Sequence, residues 1–170
     1  MTTSTTLPAG TWQLDTAATT VTATARNFGF KSVPSTLAVV SGTVVVDDQH
    51  AVTGIEVVLD AASYTSGNDK RDTHVRSDDF LDAETHPTIT FSAQSIVASG
   101  DGYRCQGSLT VKGTTKPVEL SVGDVEIADD TARFTATASV DRTAFGVDKL
   151  PGFFIGRELP VTIEARAARA

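Results

Sequence analysis

KRDTHVRSDDFLDAETHPTITF, residues Lys70–Phe91, divides a chain that is otherwise patterned like β-strand. Its first half crowds Arg71, Asp72, His74, Arg76, Asp78 and Asp79 into nine positions and reads as short helical turns. His86-Pro87 ends the segment, and Ile89, Phe91 and Ala93 then alternate with Thr90, Ser92 and Gln94 as in a strand. Asn68 or Asp69 is placed to cap a first helical turn and Ser77 a second, with Asp78 and Asp79 near that second turn's positive end. Val75, Phe80 and Leu81 supply apolar contacts to tie the segment down. A helical insertion over 68–84 in an all-β chain marks a rim or an entrance, since long connections in compact domains are usually functional.

Outward from this insertion, period-two alternation recurs with little relief. Trp12 and Leu14 form a short first strand. Val21, Ala23 and Ala25 follow, then the long apolar run Leu37–Asp47, then Ile55, Val57 and Leu59. Beyond the insertion come Tyr103, Cys105, Leu109 and Val111, then Val118, Leu120 and Val122. Phe134, Ala136, Ala138 and Val140 precede the last group, Val161, Ile163 and Ala165. Turn chemistry separates these runs at Asp47–His50, Ser99–Gly102, Lys112–Thr114 and Asp129-Asp130. Eight good strands and the short first one, joined mostly by hairpin-length loops, make antiparallel neighbours, and such a sheet closes or folds over to remove its edges.

The bulk numbers agree with one domain. The chain has 170 residues and 17.8 kDa, 40% of them hydrophobic, with no linker and no repeat. Its 21 acidic against 14 basic residues give −7 with no basic run, which argues against nucleic acid and against charge-driven membrane binding. No apolar run approaches the roughly 20 residues that span a bilayer. Residues 1–9 read as a flexible tail without a Sec-type leader, and Cys105 has no partner for a disulfide, so a cytoplasmic location is expected.

The inward positions are small: Ala23, Ala25, Ala93, Cys105, Gly107, Ala136, Ala138 and Ala165. Large apolar residues concentrate instead in the loops Phe28–Phe30 and Phe145–Glu158. That distribution suits either an open apolar cavity with a greasy mouth or two sheets flattened onto each other.

TWQLD (Thr11–Asp15), the Lys70–Phe91 string, GSLTVKGTTKPVEL (Gly107–Leu120) and VDRTAFGV (Val140–Val147) together resemble the YceI-like family of polyisoprenoid-binding proteins. Order and spacing match from about Gly10 to Ala167. The resemblance implies an antiparallel, eight-stranded, lipocalin-like barrel over 10–168 that holds an amphiphilic isoprenoid, an isoprenoid quinone or a polyprenyl phosphate, in an apolar tunnel. The strand residues Val21, Ala23, Ala25, Val39, Val57, Phe91, Phe134, Ala136 and Ala138 are expected to line it. Phe80 falls in the family's apolar anchor, and Phe28, Phe30, Phe145, Leu150, Phe153 and Phe154 are expected to close the tunnel. Arg71, Asp72, His74 and Arg142 fall at the rim or head group. Asn27 stands where members often carry histidine, and many members are exported. A homodimer is a further implication.

Other chemistries fit the residues less well. His74, His86 and Asp72 lack the spacing of a zinc site, so no metal and no cofactor beyond the bound lipid is expected. Asp72, Asp78, Asp79, Asp82 and Glu84 read as caps and a solvated face rather than as a hydrolase's acid/base pair, so no catalytic residue is assigned. Cys105 reads as a small inward hydrophobe. Trp12 reads as a plug across a barrel end, and Arg71 and Asp72 as an ion pair fixing the insertion to the rim. The competing functions are a stress-related interaction domain with its barrel packed shut and, behind it, the hydrolase.

Overall fold

The computed structural model describes residues 7–27, 31–100, 102–147 and 156–170. Among them are ten strands: β1 (Gly10–Leu14), β2 (Thr20–Asn27), β3 (Lys31–Val46), β4 (Val52–Thr65), β5 (Thr88–Ala93), β6 (Val97–Ser99), β7 (Gly102–Val111), β8 (Thr114–Ala128), β9 (Thr131–Asp141) and β10 (Glu158–Arg169). One helix, α1 (Asp69–Arg76), lies between β4 and β5, and a 3-10 turn, Arg142–Phe145, follows β9.

Eight strands close an antiparallel ring in the order β10-β2-β3-β4-β5-β7-β8-β9, with β9 returning to β10. The all-β barrel with one short helix is therefore the observed architecture. β1 pairs with the same two strands as β2, Val44 opposite Trp12 in β3 and Arg169 opposite Trp12 in β10. β1 and β2 are thus two halves of one stave, interrupted at Asp15–Thr19, where Asp15 Oδ1 accepts the amides of Ala17 and Ala18.

Several elements differ from the alternation pattern. β3 begins at Lys31 and runs through Pro34, which pairs with Thr24, although apolar alternation starts only at Leu37. β8 continues past Val122 by absorbing one extra residue between Gly123 and Glu126, with Asp124 at φ 52°. Aspartate tolerates this left-handed geometry better than most side chains, and the extra residue makes a bulge. Ser77 does not cap a second helical turn. Its hydroxyl donates back to His74 O, so it closes α1.

The barrel has two ends of different construction. At the insertion end lie α1, the Lys112-Gly113 turn between β7 and β8, and the 3-10 turn. At the hairpin end lie the β3–β4 turn, the β5–β6–β7 connection and the β8–β9 turn. Each end has its own apolar cluster. Phe80 and Ala83 of the insertion pack there with Ala61, Ile89, Val111, Val118, Phe145 and Val147. Trp12 packs at the other end with Val46, Ala132 and Ala167, backed by Leu7, Leu14 and Val52. A third cluster, Phe91, Ala93 and Cys105, thickens the wall between them. There the Phe91 ring covers Gly107 so closely that a Cβ on Gly107 would sit 2.4 Å from it.

Of the expected tail, Leu7–Ala9 are tied to the barrel. Trp12 Nε1 donates to Pro8 O at 2.9 Å, Arg169 Nη1 donates to Ala9 O at 3.1 Å, and His50 Nδ1 lies 3.1 Å from Leu7 O. No helix among the described residues is long and apolar enough to cross a membrane.

Candidate functional site: an apolar cavity with a charged rim

Strict alternation sends every second side chain of the eight staves inward, and many of those side chains are small. The result is a cavity of about 1060 Å³ running between the two end clusters. It lies at the top of the roughly 300–1,000 Å³ that suffices for a compact small molecule, so it has room for a long one. The interior is open, not packed shut.

Val21, Ala23, Ala25, Val39, Val57, Phe80, Phe91, Phe134, Ala136, Ala138 and Phe145 all line this cavity. Cys105 and Ala165 do so as well, and burial pushes the Cys105 thiol above its ordinary value. Ala93 and Gly107, read from alternation as small inward positions, are taken up by packing around Phe91 and are not in the described lining. Phe28, Phe30, Leu150, Phe153 and Phe154 lie outside the described residues. Period-two reading of β10 reaches Val161 and Ile163, which also line the cavity, but Lys70, Tyr64 and Asn68 at the mouth carry no alternation signal.

At the insertion end the expected rim residues separate. Arg71, His74 and Arg142 line the cavity, and Asp72 does not. Nor do Arg71 and Asp72 pair. Asp72, only 2% exposed, accepts the Ser66 amide and hydroxyl on Oδ1, at 2.9 and 2.5 Å, and the Thr65 hydroxyl on Oδ2 at 3.3 Å. Arg71 instead donates from Nε to Ser66 Oγ at 2.8 Å and from Nη2 to Ser66 O at 3.3 Å. Arg76 holds the same chain segment two residues earlier, donating from Nε and Nη2 to Tyr64 O. The helix is therefore sewn to the exit of β4 by three of its side chains, with Asn68 Oδ1 capping its start at the Arg71 amide.

Burial alone would push the Asp72 carboxyl up. The Ser66 hydroxyl and amide, the Thr65 hydroxyl and the Arg76 charge outweigh it and hold the group below 3.8. A group with a depressed folded value stabilises the fold above its unfolded value, and that contribution is lost as the pH falls through the folded one. Asp72→Asn keeps one acceptor oxygen where two are used, so a loss of about 1–3 kcal/mol is expected at neutral pH. Urea unfolding at pH 7 and near pH 3 checks this. The gap between variant and parent should shrink in acid, and an unchanged gap would remove Asp72's charge from the account.

Arg142 is 4% exposed and bonds that include Nε to Gly156 O and Nη1 to Val147 O hold it across the end of the barrel. Asp141, one residue earlier, caps the 3-10 turn by accepting the Thr143 hydroxyl and amide, and pairs with Arg157 at 3.2 Å. The turn closes at Gly146, whose φ of 78° suits glycine. His74 stacks edge-on against Phe80 and lies 3.0 Å from Asp79 Oδ2 in an exposed contact. Among the described residues no three His, Cys, Asp or Glu side chains converge as metal ligands.

The YceI-like domain family matches residues 12–167, nearly the full run of strands. The chain belongs to the YceI-like family. Its curated bacterial relatives include the Escherichia coli O157:H7 protein YceI, 31% identical over 106 residues, which are 62% of this chain and 56% of that one. A UPF0312 protein of Pseudomonas aeruginosa is 33% identical over 98 residues, 55% of this chain and 51% of the relative. This chain thus spans about half the length of the curated relatives it matches. Among solved structures, BcnA of Burkholderia cenocepacia shares the fold with a TM-score of 0.80 at 24% identity, over 91% of this chain and 99% of that one. A Saccharophagus degradans domain described as polyisoprenoid-binding and implicated in plant cell wall breakdown superposes with a TM-score of 0.74 at 14% identity, over 94% and 98% of the two chains. At these identities the likeness speaks for the barrel.

Proposed function

We propose that this YceI-like barrel binds an amphiphilic polyisoprenoid, either an isoprenoid quinone or a polyprenyl phosphate, and carries or sequesters it without turnover. The observation that carries the reading is the cavity of about 1060 Å³, lined by alternate apolar side chains of a closed barrel. The polyisoprenoid-binding description of the Saccharophagus degradans domain supports the choice of ligand class. Burial of each isoprenyl unit contributes at ~25 cal/mol per Å² of apolar area, so a chain of several units is held with few polar contacts. A tunnel suits such a chain because it asks for length and dryness, and the small residues Ala23, Ala136 and Ala138 leave room for both. The cavity's described lining contains no Asp or Glu to serve as the acid/base pair of a hydrolase.

The test is mass spectrometry of an organic extract from the purified protein, followed by titration with an added polyprenol. Co-purification of an isoprenoid, or saturable uptake of the added one, is expected. An extract without isoprenoid combined with no uptake would sink the carrier reading.

A further inference from the structure

Resting on the carrier reading above, we propose that the ligand bears an anionic, phosphate-type head group seated at the insertion end beneath α1, with its chain running toward the hairpin end. The chain carries −7 overall, with acids outnumbering bases 21 to 14. The described cavity lining reverses that balance, holding Lys70, Arg71 and Arg142 and no carboxylate. All three cations come from the insertion end. Among the described residues the hairpin end contributes only His50, Ser95 and Tyr103 as polar groups, and the stretch between is almost wholly apolar. Low-dielectric walls sharpen the field of such one-sided charge, so the cavity is electrically polarised along its length.

Three acids of the insertion end are committed elsewhere, and Asp69, beside Lys70 on α1, is not in the lining. Asp72 is withdrawn from the lining and occupied by Ser66 and Thr65. Asp79 faces His74, and Asp141 is held by Thr143 and Arg157. Among the described residues neither Lys70 nor Arg71 has a carboxylate partner. Arg71 spends Nε and Nη2 on Ser66, which Asp72 locks in turn, so its guanidinium is oriented before any ligand arrives. A pre-set guanidinium edge beside a flexible ammonium is the donor set that suits a phosphate. A neutral quinone or alcohol offers Lys70 and Arg71 no charge to pair with, so it forgoes the stronger charge-assisted bonds.

The experiment is calorimetric titration of the full chain with geranylgeranyl phosphate and with geranylgeraniol, which share one chain and differ in head group. The phosphate is expected to bind at least about tenfold more tightly, an advantage that narrows at high salt. It should narrow also in Arg71→Gln and in Lys70→Gln. The second variant alters an exposed side chain outside the Ser66 network, so it reads charge even where the first disturbs the fold. Equal binding of the two lipids overturns the head-group inference and leaves the carrier reading standing. Failure of both to bind overturns the two together. A phosphate preference that survives both substitutions and high salt overturns the placement at the insertion end.

Discussion

Ala136→Trp is expected to abolish isoprenoid binding, by at least about a hundredfold, while leaving the barrel folded. Ala136 is 2% exposed, sits in the middle of β9 opposite Ile163 of β10 and Val122 of β8, and lines the cavity. Ala136 is among the side chains that line the cavity, so the open space nearest to an added indole is the cavity itself. The added volume therefore goes where the ligand would go. In a barrel packed shut the same change would overpack the core and cost roughly 1–3 kcal/mol. The two outcomes are separated by measuring lipid uptake and the unfolding midpoint on one sample. Binding lost with the midpoint kept supports the tunnel. A large fall in midpoint with residual binding intact would falsify it. Ala138→Phe, one inward position along the same strand, is expected to act in the same direction.

This prediction rests on the part of the structure most legible in the sequence. Period-two alternation placed Ala23, Ala136, Ala138 and Cys105 on one face, and closure of the sheet makes that face the inside. The family resemblance added the barrel's closure and the meaning of the insertion, which alternation alone leaves open. What was not legible has identifiable causes. Arg71 and Asp72 are adjacent in sequence and opposite in charge, yet adjacent helical residues point about 100° apart and do not face each other. Asp72 instead finds Ser66, six residues back across the turn into α1, a partner with no charge to advertise it. The extension of β8 beyond Val122 depends on Asp124 accepting a left-handed backbone, which no periodicity reports. β6, three residues long with two of them exposed, is too short for alternation to mark. Arg71 was legible as a rim residue, but Lys70 carries no signal of its own until the fold sets it beside Arg71 at the mouth of a cavity whose described lining holds no acid.

Trp12→Ala is expected to be the most destabilising single truncation at the hairpin end, by roughly 3–5 kcal/mol. Trp12 is 1% exposed and is the chain's sole tryptophan, so loss of the variant's stability is best followed by far-ultraviolet circular dichroism. Its side chain fastens three separate pieces of chain. It packs on Val46 of β3, Ala132 of β9 and Ala167 of β10, and its Nε1 reaches back to Pro8 O at 2.9 Å. Leu7, Leu14, Val44, Val52 and Ala132 belong both to this cluster and to the cavity lining. Removing the indole therefore does more than leave a void in a closed core, since the void opens into the tunnel behind it. Trp12→Phe keeps the ring against these residues and loses only the bond to Pro8 O, so a smaller cost of about 0.5–1.5 kcal/mol plus some lost volume is expected. A Trp12→Ala loss below about 1 kcal/mol would mean that Leu7 and Leu14 close the end without it. If the plug is what keeps the far end dry, Trp12→Ala should also release bound isoprenoid faster than Trp12→Phe. The end clusters would then set how long the ligand stays, and the small residues between them how much of it fits.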